Sequence, residues 1–307
     1  MTVALAPSRA RSVALAYFEL TKPRISTLVG ITAVPALLLA SPGLPPLAVF
    51  WGALVGTLLA SGSAACFNMY FDRDIDALME RTRLRPLPSG RLAPSSALKL
   101  GFVLAGLAWV TLVIFANLLA ALIALASIFY YAVIYTVWLK RRTPQNIVIG
   151  GAAGASAPLI AWAAVAGHVS VPAVLLAGVV FLWTPPHFWA LALVRREDYA
   201  RAGIPMLPVT HGEAETRRQI LLYTLVLVPV TLALVPLGVA GRLYGIPAAL
   251  LGAAFIFGAW RLARSPSSAR AMRLFGFSIL YLFALYALLT VDAYVGHAPL
   301  VAARIVP

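Results

Sequence analysis

The sequence has few charged residues and almost no cysteine. Only 11% of its 307 residues are charged, and Cys66 is its one cysteine. Soluble domains carry about a quarter charged residues, so this balance argues against a soluble protein, and one thiol excludes an intramolecular disulfide framework. The sequence also lacks zinc-ligand spacing, a Gly-x4-Gly-Lys phosphate loop and an internal repeat of fixed period. These absences exclude zinc domains, P-loop nucleotide hydrolases and repeat arrays.

Long apolar runs replace the missing charge. Hydrophobic residues make up 62% of the chain and gather in runs of about 20 residues, the length that a membrane-spanning helix needs. Backbone groups in lipid must be satisfied internally, which such runs achieve as helices. The sequence therefore predicts an all-α, polytopic transmembrane helical bundle, with residues 1–307 as one domain. Nine spans are predicted, at residues 25–41, 46–67, 98–116, 118–138, 147–167, 171–194, 219–240, 244–261 and 274–296.

The basic residues predict the orientation of these spans. Lys and Arg near span ends are retained on the cytoplasmic side. Nine spans with the N-terminus in the cytoplasm and the C-terminus outside put 22 of the 24 basic residues on the cytoplasmic side, leaving only Arg242 and Arg304 outside. The leader 1–24 and the loops 68–97, 139–146 and 195–218 are then cytoplasmic, and the loops are predicted to form the active site. The net charge of +14 follows from this topology, so no nucleic-acid partner is predicted.

The beginning of the sequence bears on localisation. The first apolar run lies behind a basic leader of 24 residues and is followed by eight more spans, so we predict a retained span rather than a cleaved signal peptide. No Arg- and Ser-rich transit segment precedes it. This favours a bacterial plasma (inner) membrane over an organelle.

Acidic residues gather on the side where the basic residues lie. Nine of the ten fall at the predicted cytoplasmic face, and only Asp292 lies toward the outer end of a span. Channels and proton-coupled carriers keep ionisable groups near the middle of the membrane. The acid-free span centres therefore favour an active site that opens at the cytoplasmic surface over a permeation path.

The densest acidic cluster follows the second span. Asn68, Asp72 and Asp76 are spaced at i, i+4 and i+8, so they share one face if the helix continues. Two carboxylates this close repel each other unless a cation joins them. Mg²⁺ fits, because it takes one or two protein carboxylates and completes its shell with water and phosphate oxygens. The alternative is a solvated charged loop, with Asp74 and Glu80 paired to nearby arginines.

At this motif the sequence resembles the UbiA superfamily of intramembrane aromatic prenyltransferases, which are nine-helix bundles. In its details it is similar to the protoheme IX farnesyltransferases, or heme O synthases, within that superfamily. The resemblance covers residues 20 to about 224 in order. Its stretches are Leu20–Arg24, Asp72–Asp76 with Met79–Thr82 and Arg85–Leu87, Leu139–Ile147, Gly150–Gly154, Trp183–Trp189, and Asp198–Tyr199 leading into Ala202–Pro208.

The resemblance implies an activity. It implies transfer of the farnesyl group of farnesyl diphosphate to the vinyl side chain of heme B, with addition of water, to give heme O. Heme B is then a substrate, Mg²⁺ the cofactor, and heme A synthase or terminal oxidase assembly the possible partners of the product. Two alternatives stay open: a prenyltransferase for another acceptor, such as a hydroxybenzoate or a chlorophyll precursor, and a polytopic carrier.

The resemblance also implies roles for the charged residues. Asn68, Asp72 and Asp76 would bind the metal and the diphosphate. Many members of the superfamily carry a second aspartate pair between spans six and seven; here only Glu197 and Asp198 are available, so Asp198 is the candidate further metal ligand. The candidate diphosphate-binding cations are Lys22, Arg24, Lys140 and Arg141. Each of these cations also has a purely topological explanation, because each lies on the cytoplasmic side.

Aromatic residues near the inner end of the sixth span are candidates for heme contact. His187 follows Pro185 and Pro186, which should kink the helix. His187 either contacts the heme iron, as imidazole often does, or packs and donates to a carbonyl freed by the kink. The candidate tetrapyrrole contacts besides His187 are Trp183, Trp189 and Tyr199. For the tryptophans, the alternative is the enrichment of aromatic residues near span ends.

Two further patterns predict structural roles. Thr210 and Glu213 have the spacing of a capping box that opens the seventh span. The small residues of 150–156 are typical of a helix-packing face, which needs no ligand.

Overall fold

The computed structural model describes residues 9–41 and 43–295, and within these ranges its regular elements are helices. In chain order they are α1 (Arg9–Leu20), α2 (Pro23–Leu39), α3 (Leu47–Phe71), α4 (Arg73–Leu78), α5 (Pro94–Phe115), α6 (Leu118–Phe129) with a π-helix (Tyr130–Leu139), α7 (Asn146–Gly154), α8 (Ser156–Ala166), α9 (Val171–Val194), α10 (Arg196–Arg201), α11 (Leu207–Thr210), α12 (Gly212–Ala233), α13 (Arg242–Arg264) and α14 (Ser268–Val295). The all-α prediction is confirmed. Arg304, which was predicted to lie on the outer side of the membrane, falls beyond the described residues.

The long helices are those of a multi-pass membrane protein. Seven segments in the described ranges are long and apolar enough to cross a membrane, and α1 with α2, bent by 45°, would form an eighth as one broken span. The first two turns of α12 carry four charged residues, so only its later part is apolar. Large side chains such as Phe102, Ile114 and Leu250 are exposed on the outer faces, as lipid contact requires.

The helices pack in chain order around the bundle. Each long helix contacts the next, from α2 and α3 through to α13 and α14, and α14 packs against α2 to close the ring. Small residues allow the closest approach: a Cβ added at Gly52 or Gly56 of α3 would lie 2.2 Å from Phe115 or 2.6 Å from Leu112 of α5. Packing of this kind holds membrane helices together where no hydrophobic driving force exists between them.

The predicted span at 147–167 is broken. α7 ends at Gly154 and α8 begins at Ser156. Pro158 has no N–H to donate to the carbonyl of Gly154 four residues earlier, which interrupts the helical ladder at this point. By contrast, α9 continues through Pro185 and Pro186 without interruption.

The predicted capping box at Thr210 is wrong. Thr210 is the last residue of the short helix α11, so it lacks the extended backbone of an N-cap, and its hydroxyl contacts the Met206 carbonyl and His211 Nδ1. Glu213, on α12, pairs instead with Arg217 at 3.2 Å.

The end of the bundle away from the Asn68–Asp76 cluster is held together by a buried carboxylate. Asp292 of α14 accepts hydrogen bonds from the backbone N–H groups of Gly241 at 2.5 Å and Tyr244 at 3.2 Å. These groups belong to the beginning of α13, where N–H donors lack partners within the helix. Asp292, the single acid predicted to lie away from the cytoplasmic face, therefore caps a neighbouring helix.

Candidate active site

A cavity of about 240 Å³ lies inside the bundle, between α2, α3, the π-helix, α7, α8 and α9. Lys22 lies at its polar end, and much of its wall consists of small residues, including Ala60, Ala64 and Ala157. Small side chains on facing helices leave this space open. The bundle thus contains an apolar chamber that meets a charged cluster.

The small residues of 150–156 have two roles. Gly150 and Gly151 pack as expected, because an added Cβ would lie 2.5 Å from Tyr135 and 3.1 Å from Thr184. The same run also lines the cavity, through Gly150, Gly151, Ala153, Gly154 and Ser156, and an added Cβ at Gly154 would meet nothing within 4 Å. The interpretation of this run as packing alone was therefore incomplete.

Four predicted site residues form one hydrogen-bonded chain. Lys22 Nζ donates to Asn68 Oδ1 at 2.5 Å, and Asn68 Nδ2 donates to Asp72 Oδ2 at 2.7 Å. Lys140 Nζ donates to the same Asp72 oxygen at 2.5 Å. Asn68 Nδ2 also donates to Thr136 Oγ1 at 3.0 Å. Residues from α3, the π-helix and the connections beside them therefore meet in one hydrogen-bonded network.

Backbone geometry positions this chain of residues. The helical hydrogen bonds continue through the α3–α4 junction, from Asp72 N to Asn68 O at 2.9 Å and from Asp76 N to Asp72 O at 2.8 Å, which keeps the i, i+4 relation. Lys22 joins α1 to α2 with φ of 49°, and it is the one non-glycine residue with positive φ in the described ranges. Such strained residues occur mainly at functional sites.

The π-helix sets the position of Lys140. Its backbone hydrogen bonds join residues five apart, as from Lys140 N to Tyr135 O at 2.8 Å. The side-chain hydroxyl of Thr136 also donates to Tyr131 O, at 2.7 Å. Tyr131 and Tyr135 stack at 5.2 Å and line the cavity. Helices of this kind are rare and often occur at functional sites.

Asp76 is held by an arginine that we did not assign to the site. Arg85 Nη1 donates to both oxygens of Asp76, at 2.8 and 2.7 Å, and Thr82 Oγ1 donates to the Asp76 carbonyl at 2.9 Å. Asp76 is 3% exposed, so the pair is shielded from solvent. In this structure Asp72 and Asp76 therefore have different cationic partners.

The site attracts anions. Burial, together with the charges of Arg85 and Lys140, lowers the pKa of Lys22 to about 7, against the opposing effect of Asp72 and Asp76. Cations that depress one another's protonation lie close together. A diphosphate placed among them would gain several charge-assisted hydrogen bonds.

Two carboxylate oxygens have unused acceptor capacity. Asp72 Oδ1 and Asp198 Oδ2 are buried and have no hydrogen-bond partner, a costly state that a bound cation would relieve. In the described part of the chain, no three His, Cys, Asp or Glu side chains are close enough to form a metal site by themselves. A buried carboxylate with a free oxygen suits Mg²⁺, which takes one or two carboxylates and completes its shell with phosphate oxygens and water, rather than a site built wholly from protein ligands.

The remaining predicted cations lie outside this network. Arg24 is exposed on α2. Arg141 donates to both oxygens of Asp74 at 2.7 Å, and this hydrogen bonding lowers the pKa of the Asp74 carboxyl. For Asp74, the alternative interpretation as a solvated charged pair is therefore the correct one. Asp198 pairs with Arg201, while Arg195 lies 4.0 Å away.

The aromatic candidates divide into two groups. Trp183 and His187 line the cavity, and their rings stack at 4.2 Å. Trp189 instead meets Tyr223 of α12 edge to face at 5.3 Å and is not among the residues that line the cavity. Tyr199 is buried in α10, and burial raises the pKa of its phenol. The sequence therefore located two of the four at the cavity wall.

Comparison with known proteins identifies the family. The model of the UbiA prenyltransferase family matches residues 29–291. The chain belongs to this family. A protoheme IX farnesyltransferase of Parvibaculum lavamentivorans is 50% identical to this prenyltransferase over 286 residues, which are 91% of this chain and 89% of the relative. At that identity the chain also belongs to the protoheme IX farnesyltransferases.

Solved structures share the fold of this prenyltransferase. The structure of digeranylgeranylglyceryl phosphate synthase has a TM-score of 0.76 at 21% identity, over 92% of this chain and 98% of that one. A UbiA homologue from Archaeoglobus fulgidus, bound to DMAPP and Mg²⁺, has a TM-score of 0.61 at 17% identity, over 90% and 99%. These similarities support the fold of the bundle.

Several residues of this prenyltransferase site escaped the sequence interpretation. Arg85 was visible in the motif that carried the resemblance, but nothing in the spacing showed that it holds Asp76. Thr136 carried no signal because Thr is ordinary inside apolar spans, and Gly154 was interpreted only as part of a packing face. Ser278 of α14 contacts His187 Nδ1 at 2.7 Å, a partner 91 residues away that local sequence cannot reveal.

Proposed function

We propose that this prenyltransferase transfers the farnesyl group of farnesyl diphosphate to a vinyl side chain of heme B, with addition of water, to give heme O. One observation carries the proposal: the buried, unpartnered Asp72 Oδ1 lies in a network with Lys22 and Lys140 at the polar end of an apolar cavity. The names of relatives at about 50% identity support the acceptor and the donor. Membership of a prenyltransferase family excludes the carrier.

The carboxylates would hold the metal. We assign Mg²⁺ to Asp72 and Asp198, whose free oxygens fit it, with Asp76 as a third candidate. When bound, Mg²⁺ neutralises part of the diphosphate charge. The A. fulgidus homologue bound to DMAPP and Mg²⁺ supports Mg²⁺ as the metal, and the choice of residues rests on the free oxygens.

The cations would bind and stabilise the leaving group. Lys22 and Lys140 each bring an ammonium group to the polar end of the site, and Arg85 brings a planar fork suited to phosphate. As the allylic C–O bond breaks, negative charge develops on the diphosphate, and positioned donors stabilise it without reorganisation. Arg24 and Arg141 lie farther out, and we assign them to the capture of the donor from the cytoplasm.

The apolar cavity would hold the reacting carbon chains. Its small-residue walls suit the farnesyl chain, and Trp183 with His187 offers a flat aromatic surface to the porphyrin. This proposal assigns heme contact to these two residues. Trp189 and Tyr199, which are buried but do not line the cavity, are assigned to the support of the wall.

The membrane arrangement follows from the charges. We propose nine spans, with α2 and the apolar part of α12 added to the seven clear segments, and with the N-terminus in the cytoplasm and the C-terminus outside. The polar end of the site then faces the cytoplasm, where a water-soluble diphosphate head group is available. The bacterial plasma membrane is the proposed location, and heme A synthase or terminal oxidase assembly would use the product.

The test is product analysis with purified protein. The protein in detergent is incubated with farnesyl diphosphate, heme B and Mg²⁺, and the extracted hemes are analysed by mass spectrometry. We expect a product heavier than heme B by one farnesyl group and one hydroxyl group, because the second proton of the added water is released. Transfer to a hydroxybenzoate or a chlorophyll precursor, with heme B left unmodified, would refute the proposed acceptor while keeping the prenyltransferase.

A further inference from the structure

His187 is held rigidly between two elements of the bundle. Its ring stacks on Trp183 at 4.2 Å and 18°, and on Phe275 of α14 at 4.5 Å and 22°. Trp183 Nε1 donates to the Ser278 carbonyl at 2.7 Å, so α14 fixes the stacking partner as well. With aromatic rings on both faces, only the edge of the imidazole can meet a substrate.

The hydrogen bonds of Ser278 define the tautomer of that imidazole. Ser278 Oγ lies 2.7 Å from the Phe275 carbonyl and 2.7 Å from His187 Nδ1. A carbonyl only accepts, so the single hydroxyl hydrogen of Ser278 lies toward Phe275. Ser278 Oγ then accepts from His187 Nδ1–H, and the lone pair of the ring is on Nε2.

This lone pair distinguishes His187 from the other titratable residues of the cavity. Among the described residues that line it, the titratable side chains are Lys22, Tyr131, Tyr135 and His187. Lys22 donates to Asn68 at 2.5 Å and is assigned as an ammonium donor to the diphosphate, whose negative charge favours the protonated amine. A phenol is a weak base that normally donates. The imidazole is therefore the proton acceptor best suited to this wall.

We infer that His187 Nε2 accepts a proton from the water that adds to the substrate, and that Ser278 is the positioning residue that maintains the required tautomer. The inference rests on the proposed function. The allylic C–O bond breaks and its electron pair leaves with the diphosphate. The terminal vinyl carbon bonds to C1 of the farnesyl group, and the water oxygen bonds to the other vinyl carbon. One water proton moves to Nε2 and later passes to solvent.

The inference predicts a change in product rather than a simple loss of activity. Without a base for the water, the vinyl-derived cation loses a proton from the adjacent carbon and gives an alkene, which lacks the added water. In His187→Ala we expect diphosphate release to continue. The ratio of hydrated product to alkene should fall at least about tenfold, because a general base typically contributes about 10²–10⁴-fold to a rate. Ser278→Ala should lower the ratio in the same direction, and Ser278→Thr should restore it.

The control is Thr184→Val. Thr184 lines the same cavity from the same helix, and its hydroxyl donates to the Val180 carbonyl, so this nearly isosteric change removes a polar group that has no role in proton transfer. Its product ratio should equal that of the wild type. The ratio is measured by mass spectrometry of the extracted hemes, and thermal unfolding in detergent identifies variants that are not folded.

The outcomes separate the two proposals. If the wild type forms no farnesylated heme, the proposed function is wrong and this inference falls with it. If the wild type forms heme O but folded Ser278→Ala and His187→Ala keep the wild-type ratio, only the inference is overturned. An altered visible spectrum of bound heme in His187→Ala, with an unchanged ratio, would assign the residue to iron ligation and would equally overturn it. Because Ser278→Ala removes one oxygen, it keeps the test valid if His187→Ala does not fold.

Discussion

Substitution of Asp72 by asparagine separates the charge of this residue from its shape. The new amide oxygen can accept from Lys140 and Asn68, as Asp72 Oδ2 does at 2.5 and 2.7 Å. The amide nitrogen then replaces Oδ1, the free oxygen, and presents N–H groups where a cation is expected. The contacts within the fold are kept, while one metal ligand is lost.

The expected magnitude follows from these contacts. Loss of a preorganised group that stabilises developing charge costs about 10²–10³ in rate, so we expect turnover of Asp72→Asn to fall by at least about a hundredfold. The free energy of unfolding should change less than the rate, because the neutral amide keeps both hydrogen bonds of Asp72 Oδ2 and introduces no new buried charge. Turnover is measured as farnesylated heme per unit time over a series of Mg²⁺ concentrations, together with the thermal midpoint in detergent.

The matched control is Asp74→Asn. Asp74 lies two residues away, is 62% exposed in its side chain and pairs with Arg141 at the surface. Exposed pairs contribute about 0.2–1 kcal/mol, so this variant should keep turnover within about threefold of the wild type. Wild-type turnover in a folded Asp72→Asn protein, or equal losses in the two variants, would refute the assignment of Asp72 to the metal.

Three further substitutions test other parts of the structure. Gly154→Leu should reduce turnover about a hundredfold by filling open cavity space and displacing substrate. Gly106→Leu, at an exposed position of α5 where an added Cβ also meets nothing within 4 Å, should have little effect. Equal rates in the two variants would show that the cavity is not the substrate site. Arg85→Lys keeps the positive charge but loses the planar guanidinium that can bind phosphate with two N–H groups, so the KM for farnesyl diphosphate should rise about tenfold. Arg83→Lys, at an exposed position, should leave this KM unchanged. A wild-type KM in Arg85→Lys would show that Arg85 does not bind farnesyl diphosphate. Asp292→Ala leaves two N–H groups at the beginning of α13 without their acceptor and should lower the free energy of unfolding by about 2 kcal/mol. We expect a lower thermal midpoint, with unchanged specific activity of the folded fraction. An unchanged midpoint would contradict the capping role.

Local regularity explains what the sequence could predict. The apolar runs were long enough to identify the seven segments of the described chain that could cross a membrane, and Asn68 and Asp72, four residues apart, are in contact. The sequence also assigned Lys22 and Lys140 to the same side of the membrane as these residues, and in the structure both lysines donate hydrogen bonds to them. These features depend on periodicity and on the bilayer.

Contacts between distant segments explain what it could not predict. Arg85 holds Asp76 through a fold of the loop that no spacing encodes. Trp189 faces α12 rather than the cavity because the orientation of α9 is set by packing on both sides. Asp76 and Asp198 could be named as metal ligands from the resemblance, but their different arginine partners emerge only in three dimensions.

The π-helix makes the site sensitive to the number of residues between Tyr130 and Leu139. A one-residue deletion that kept the π-helical hydrogen bonds would rotate everything after it by roughly the angle of one residue, which is about 100° in an α-helix and less in the wider π-helix, and Lys140 would leave Asp72. In most lipid-facing helices such a length change only alters which side chains meet the acyl chains. Here, the ion pair depends on an exact residue count, so insertions and deletions in this segment should be selected against even at positions that touch no substrate.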